Sequence, residues 1–201
     1  ADKGEGKTTT ATNLALALAS GGTRTLLVDA DLRRSRVHEV LDLERTPGLA
    51  ELLYDEDLTF DAFETHVDHL SVLPSGDSVP NPAELLGSER MHRQMKAMRS
   101  AFDVVIFDTP PVLLFSDALA LAPRCDGTFL VTAAGETDYR AFDHAADRLA
   151  DVEADVLGAI LNRFDASATS HGYGYNYGYA YGYRQLDEYY EEERSVGKKR
   201  I

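Results

Sequence analysis

The first nine residues, Ala1–Thr9, read A-D-K-G-E-G-K-T-T. They match the phosphate-binding loop pattern that ends in Gly-Lys-Thr, with Ala1 in place of its usual first glycine. Gly4 and Gly6 allow backbone N–H groups to turn inward around phosphate oxygens, and the helix expected from Lys7 onward adds its N-terminal amides and dipole. Lys7 brings a positive charge to the β- and γ-phosphates of a nucleotide. The nucleotide-binding residues predicted in this loop are Gly4, Glu5, Gly6, Lys7, Thr8 and Thr9.

Strand-like and helix-like segments alternate between residue 1 and about residue 165, which predicts an α/β fold built on a parallel sheet flanked by helices. Each predicted strand is a short apolar run followed by a polar residue or a turn, as expected for strands covered on both faces. Because a phosphate loop normally follows a strand, a first strand is expected upstream of Ala1. The predicted strands are Thr25–Ala30, Leu70–Leu73, Val104–Asp108, Thr128–Thr132 and Val156–Leu161, and the predicted helices are Lys7–Ala19, Ala83–Ser100, Ser116–Ala122 and Tyr139–Val152.

Three aspartates stand at the ends of two predicted strands. Asp29 and Asp31 belong to L-L-V-D-A-D, and Asp108 closes V-V-I-F-D. In open α/β sheets the ligand lies beyond the carboxyl ends of the strands, where an acid can hold Mg²⁺ or accept a proton from a hydroxyl. The alternatives are solvated loop acids and, for Asp108, an acid that caps the next turn. The predicted metal-side residues are Thr8, Asp31 and Asp108, and the predicted catalytic residues are Lys7, Asp29, Asp31 and Asp108, with the general base left open between Asp29 and Asp31.

Asn162 and Arg163 follow the last predicted strand. An amide and a guanidinium at a strand end can contact a purine by hydrogen bonding and stacking. A loop asparagine that favours a tight turn explains the same residues equally well. Both residues are kept as predicted nucleotide-binding residues.

Together these motifs resemble the bacterial tyrosine kinases, P-loop enzymes that control capsule and exopolysaccharide export. The motifs that carry the resemblance are D-x-D-x-R at residues 29–33, D-T-P-P at residues 108–111, P-N-P-A-E-L-L at residues 80–86, and a tyrosine-rich C-terminus. Residues 80–86 also have a purely structural interpretation, because Pro82 suits the first position of a helix. The resemblance implies a sheet related to that of the MinD and ParA ATPases, with ATP and Mg²⁺ bound.

The resemblance also implies roles and partners. Lys7 would bind phosphate, Thr8 and Asp108 would serve Mg²⁺, Asp29 and Asp31 would serve the metal and the attacking tyrosine, and Asn162 and Arg163 would lie near the adenine. The implied partners are neighbouring copies in a ring-like homo-oligomer and a membrane polysaccharide co-polymerase, fused upstream or separate. The implied location is the cytoplasmic face of the inner or plasma membrane.

The C-terminal residues 166–201 differ sharply in composition from residues 1–165, which predicts a kinase domain followed by a tail. The tail is rich in glycine, tyrosine and charge, and a sequence of this kind is expected to be disordered. Eighteen residues separate Asp165 from Tyr183, an r.m.s. reach of roughly 23 Å that permits a visit to a neighbouring subunit. The predicted phosphoacceptors are Tyr173, Tyr175, Tyr177, Tyr179, Tyr181, Tyr183, Tyr189 and Tyr190.

The net charge of the chain limits its partners, and two alternative functions remain open from the sequence. A formal net charge of −14 disfavours binding to nucleic acid or to an anionic membrane surface. The first alternative function is a MinD/ParA-like ATPase switch, although those proteins carry a second lysine where this chain has Asp2. The second is a non-enzymatic assembly module in which the Gly-Tyr tail acts as a low-complexity association segment.

Overall fold

The structure is a computed structural model that describes residues 2–55, 57–58 and 61–165. All of its helices and strands lie in the compact unit that ends at Asn162. The strands are β1 (Thr25–Asp29), β2 (Phe63–Glu64), β3 (Leu70–Leu73), β4 (Val104–Asp108), β5 (Thr128–Ala133) and β6 (Val156–Asn162). The α-helices are α1 (Lys7–Ser20), α2 (Val37–Leu41), α3 (Leu49–Tyr54), α4 (Pro82–Leu86), α5 (Glu89–Ala101), α6 (Asp117–Leu121) and α7 (Tyr139–Ala150), and a 3₁₀ turn covers Ala122–Arg124.

Two sheets form the framework. The larger has the strand order β2-β3-β1-β4, in which β1 pairs in parallel with both β3 and β4 and the short β2 runs antiparallel to β3. The smaller sheet pairs β5 with β6 in parallel. Asp29 is in register with Asp108, so the two acids end neighbouring strands at the same edge. Parallel pairing therefore brings the predicted catalytic acids to the place where ligands bind in open α/β sheets.

The core explains why the three central residues of β1, Leu26 to Val28, are apolar. All five of its residues are buried, because helices cover both faces of the strand. Leu26 and Val28 belong to a cluster with Met91 and Met98 of α5, whereas Leu27 packs with α1 in a second cluster. A third cluster joins β5 to α7 and to the segment after β4, through Leu130, Leu149 and Val112 among others.

Most predicted elements are confirmed, and one is wrong. The predicted helix Ala83–Ser100 is two helices, α4 and α5, with Gly87 and Ser88 between them. The helix is interrupted there because Ser88 is the N-cap of α5, where its side chain accepts a hydrogen bond from Met91 N. Pro82 occupies the first turn of α4, as predicted. Among the described residues, no helix combines the length and the hydropathy needed to cross a membrane.

Candidate nucleotide site

The loop before α1 has the backbone shape of an anion cradle. Gly4 and Gly6 adopt positive φ angles of 83° and 88°, a region that side chains disfavour. Helix α1 begins at Lys7, and Thr10 N donates to Gly6 O at 2.8 Å as the first turn closes. A Cβ atom on Gly6 would lie 2.1 Å from Asn162 Nδ2, so the site requires glycine for space as well as for conformation. The free amides of a helix N-terminus are thus presented at this loop.

Lys7 lies within the loop and is held there by the loop's own acceptors. Its ammonium donates to the carbonyl oxygen of Asp2 and lies 3.9 Å from Glu5 Oε2. Burial lowers the pKa of Lys7, and the charges of Glu5 and Asp108, among others, oppose that shift. The side chain therefore brings a positive charge to the mouth of the cradle in a partly desolvated setting, where its attraction for phosphate is strong.

Asp108 is the buried acid of the site. Its residue is 3% exposed, and burial raises its pKa to about 7, against the opposing effect of a hydrogen bond from the Thr8 hydroxyl. Asp29 and Asp31 raise it further through their negative charges. A hydrogen bond thus joins Thr8 and Asp108, two of the residues predicted to hold Mg²⁺, and Lys7 is close enough to act on the same carboxylate.

Asp29 and Asp31 have different surroundings. Asp29 is fully buried, and its Oδ2 accepts from the Ser35 hydroxyl at 2.7 Å and from the backbone N–H groups of Arg36 and Val37. Burial raises the pKa of Asp29, and these hydrogen bonds oppose the rise. Asp31 is only half-buried, and its Oδ1 accepts from the backbone N–H groups of the two arginines that follow it. Asp29 therefore organises the loop that carries Asp31.

The phosphate loop is clamped to the smaller sheet through Glu5, a contact that sequence reasoning did not predict. The carboxylate of Glu5, which is buried, accepts from Thr137 Oγ1 at 2.7 Å, and its backbone carbonyl accepts from Asn162 Nδ2 at 2.9 Å. Thr137 Oγ1 in turn accepts from Ala133 N at the end of β5. No local sequence signal marks Thr137, because it lies 132 positions from Glu5 and meets it only in the folded chain.

The remaining predicted site residues have separate outcomes. Thr9 is exposed in the first turn of α1. Arg163 is exposed with a left-handed φ of 56°, and its predicted adenine contact stays a prediction. Asn162 contacts the phosphate loop, and its predicted adenine contact also stays a prediction. The predicted acceptor tyrosines, all beyond residue 165, lie outside the described residues.

The donor set fits a magnesium nucleotide. Within the described ranges, no three His, Cys, Asp or Glu side chains group closely enough to hold a metal ion by themselves. Thr8 and Asp108 offer two hard oxygen ligands beside an anion cradle, and Mg²⁺ in such sites takes one or two carboxylates together with substrate phosphates. Nucleotide and metal would therefore bind here together.

Comparisons with known proteins agree with this geometry. The AAA domain family matches residues 2–131. The tyrosine-protein kinase YwqD of Bacillus subtilis is 44% identical over 160 residues, which cover 79% of this chain and 68% of that protein. The solved kinase domain of Escherichia coli tyrosine kinase ETK superposes with a TM-score of 0.76 at 29% identity, over 87% of this chain and 69% of that one.

A more distant likeness concerns the ATPase alternative. The cell division ATPase MinD of Pyrococcus furiosus superposes with a TM-score of 0.68 at 26% identity, over 82% of this chain and 70% of that one. The fold is thus shared with MinD, whereas the more similar relatives are kinases. The chain belongs to the bacterial tyrosine-protein kinases, the branch of the AAA-domain P-loop proteins related to MinD and ParA, and it is a protein-tyrosine kinase.

Proposed function

We propose that the chain transfers the γ-phosphoryl group of ATP to tyrosine hydroxyls of its own C-terminal cluster, with a neighbouring copy as the acceptor. The observation that carries the proposal is the convergence of Lys7, Thr8, Asp31 and Asp108 at the N-terminus of α1. Phosphoryl transfer requires mainly positioning and charge stabilisation, and these four side chains supply both. The tyrosine-rich sequence after residue 165 supplies hydroxyls on the same polypeptide.

Each side chain has a role in the proposed step. The loop amides and Lys7 bind the β- and γ-phosphates, for which Lys7 exchanges the carbonyl of Asp2 for phosphate oxygens. A tyrosine oxygen forms a bond to the γ-phosphorus, and the bond from that phosphorus to the β,γ-bridging oxygen breaks, so that ADP leaves with the electron pair. Mg²⁺, when bound, would neutralise phosphate charge, and Thr8 and Asp108 would hold it.

The tyrosine proton goes to Asp31 in this proposal. Asp29 already accepts hydrogen bonds from three groups of the 35–37 segment and is fully buried, which suits a positioning residue. Asp31 is half-buried and shares its surroundings with Lys7 and Asp108, which suits contact with an incoming hydroxyl. The sequence leaves open which of the two acids accepts the proton, and we propose that it is Asp31.

Lys7→Met tests the proposal. The control is Lys96→Met, which also removes one lysine but at an exposed position. Lys7→Met should abolish nucleotide binding and phosphate on tail peptides, whereas circular dichroism stays unchanged and Lys96→Met behaves as wild type. The measurements are intact mass and peptide mapping after expression in a host without tyrosine kinases. Phosphate on the Lys7→Met tail in that host would refute autophosphorylation.

The second candidate function is an ATPase switch, which the likeness to MinD favours. ATP consumption without any gain of mass on the wild-type tail would select it. A gain of mass on the wild-type tail would exclude it, so the same purified chain separates the two candidate functions.

We further propose that the kinase regulates capsule or exopolysaccharide synthesis or export, as the family resemblance implies. Its partners would be copies of itself in a ring and a membrane polysaccharide co-polymerase, fused or separate, at the cytoplasmic face of the membrane. Each phosphate adds about −1.5 to −2 charges to an already acidic tail. Repulsion between phosphorylated tails would then loosen the assembly.

A further inference from the structure

A groove of about 320 Å³ opens beside Asp31. Its floor is apolar and consists of Pro111, Leu114 and Phe115, and its rim carries Lys3 and Arg34. We call this feature the basic-rimmed groove. Leu114 is 56% exposed and lines the groove together with Asp31, the proposed proton acceptor. A large apolar side chain that lines a groove with polar groups at its edge is typical of a ligand-binding surface.

The floor of the basic-rimmed groove is fixed in place by its neighbours. The guanidinium of Arg33 lies 4.3 Å from the centre of the Phe115 ring. Arg33 Nε also contacts both carboxylate oxygens of the fully buried Asp117, at 3.1 and 3.2 Å. The charge of Arg33 is thus paired with Asp117 and lies against the Phe115 ring. These contacts hold the ring in place, so the floor presents a fixed aromatic surface.

The rim differs from the rest of this acidic chain in its charge. Among the residues that the structure describes, neither Lys3 nor Arg34 forms an ion pair, whereas the whole chain carries a formal charge of −14. Asp31 is the one acid among the described residues that line the groove, and two cations beside it favour a ligand that is apolar in the middle and anionic on its flanks. Lys3 belongs to the phosphate loop, whereas Arg34 lies outside it, so Arg34 is the rim cation that the proposed nucleotide contacts leave to the second substrate.

We propose that the basic-rimmed groove binds the acceptor tyrosine and selects tyrosines flanked by carboxylates. This inference rests on the proposed phosphoryl transfer. The phenol ring packs on Leu114 and Phe115, its hydroxyl meets Asp31, and flanking carboxylates pair with Lys3 and Arg34. Within this chain, the sequence D-E-Y-Y-E-E-E at residues 187–193 has that chemistry, whereas the G-Y repeat at residues 172–183 does not. Tyr189 and Tyr190 are therefore the preferred acceptors.

Two peptides test the selection with the full chain as enzyme. One has the sequence D-E-Y-Y-E-E-E, and the other, N-Q-Y-Y-Q-Q-Q, replaces each carboxylate by its amide. The acidic peptide should have a kcat/KM about three to ten times higher at low salt, an advantage that 0.5 M NaCl removes. Equal kcat/KM values at low salt would overturn the proposal.

Arg34→Glu locates the selection on the rim, with the exposed Arg140→Glu as a control for charge reversal elsewhere. Arg34→Glu should lower kcat/KM for the acidic peptide alone, leaving the amide peptide and the dissociation constant of magnesium nucleotide unchanged. An equal loss with both peptides, or an equal effect of Arg140→Glu, would contradict selection by the rim.

A binding measurement separates this inference from the proposed reaction. Fluorescence anisotropy of a labelled D-E-F-F-E-E-E peptide reports occupancy of the groove without any phosphoryl transfer. Tight binding that Arg34→Glu weakens, with no tyrosine phosphorylated, would uphold the charge selection and refute the reaction. Phosphorylated tyrosines with no binding preference between acidic and amide peptides would refute the selection and uphold the reaction.

Discussion

At the scale of single residues, the buried carboxyl of Asp108 carries a cost that depends on pH. Its pKa is raised to about 7 by burial, so the folded chain keeps a proton that the unfolded chain has lost. Folding is then favoured below the unfolded pKa, near 4, and the contribution is lost as the pH rises through about 7. The site tolerates this cost because an ionised Asp108 is the form that a divalent cation requires.

Chelator-treated, nucleotide-free protein should therefore become less stable between pH 5 and pH 7. The free energy of unfolding should fall by at most about 1.4 kcal/mol per pH unit from this group. Asp108→Asn should flatten that part of the profile, whereas the exposed Asp143→Asn should not. Urea unfolding at half-unit pH steps measures both, and an unchanged slope in Asp108→Asn would contradict the assignment.

A comparison of Asp29→Asn with Asp31→Asn distinguishes a residue that holds the loop in place from a residue that accepts the tyrosine proton. Asp29→Asn puts an NH₂ group among N–H donors and should cost about 1–3 kcal/mol of stability. Asp31→Asn keeps an oxygen for its two backbone donors, so stability should stay within about 0.5 kcal/mol while the phosphorylation rate falls by about 10²-fold or more. Thermal unfolding and single-turnover phosphorylation are the readouts. A stable, inactive Asp29→Asn beside an active Asp31→Asn would reverse the two roles.

At the scale of elements, five of the six strands that the structure describes were predictable from their apolar sequences, whereas the two-residue β2 was not predicted. The run T-L-L-V-D is buried along its length, as expected for a strand covered on both faces, but β6 is largely exposed, which its apolar sequence did not indicate. The short helix α3 was not predicted, since six residues show too little periodicity to identify a helix. Glu51 accepts from Gly48 N at the start of the helix, a local contact, and from Asp77 N, a tertiary contact that holds the helix in place.

In the site too, local features were predictable from the sequence, whereas tertiary contacts were not. The glycine loop and the three aspartates were predictable because each is local or ends a strand. Glu5 lies in the predicted phosphate loop, but its partner Thr137 could not be found from the sequence. Only the fold brings together the loop before α1 and the segment between β5 and α7. The separate surroundings of Asp29 and Asp31 likewise depend on how residues 35–37 turn back.

Thr137→Val tests whether the clamp on Glu5 matters for nucleotide binding. The substitution removes the hydroxyl that Glu5 contacts and leaves a buried carboxylate with one donor fewer. Magnesium nucleotide should bind about three to ten times more weakly, and Thr137→Ser should restore wild-type affinity. Isothermal titration calorimetry gives both constants. Equal affinities in all three proteins would show that the phosphate loop holds its shape without β5.

At the scale of the whole molecule, residues 1–165 and the tyrosine-rich sequence that follows differ in composition, which is why the sequence predicts two regions. Residues 2–165 contain the strands, helices and site described here, whereas most tyrosines follow residue 165. The proposed ring, by contrast, could not be derived from one chain's sequence, because it would depend on a complementary surface on another copy.

Mixing two isotopically distinct copies of the chain tests transfer between copies. Wild-type protein at natural isotope abundance is incubated with ¹⁵N-labelled Lys7→Met protein, magnesium and ATP. The labelled chain should gain phosphate on its tail tyrosines, at a rate that rises with the concentration of wild type. Intact mass distinguishes the two chains, and a gain confined to the unlabelled chain would establish transfer within one copy.

The contact of Lys7 with the Asp2 carbonyl and the Glu5 carboxylate has a consequence for chemical selectivity. A ligand can recruit this lysine only by outcompeting a carbonyl and a carboxylate that are already in place. Inorganic phosphate and sulfate can also contact the helix amides, but they carry less negative charge than a triphosphate with which to compete for the lysine. The resting loop should therefore bind longer polyphosphate chains in preference to small anions.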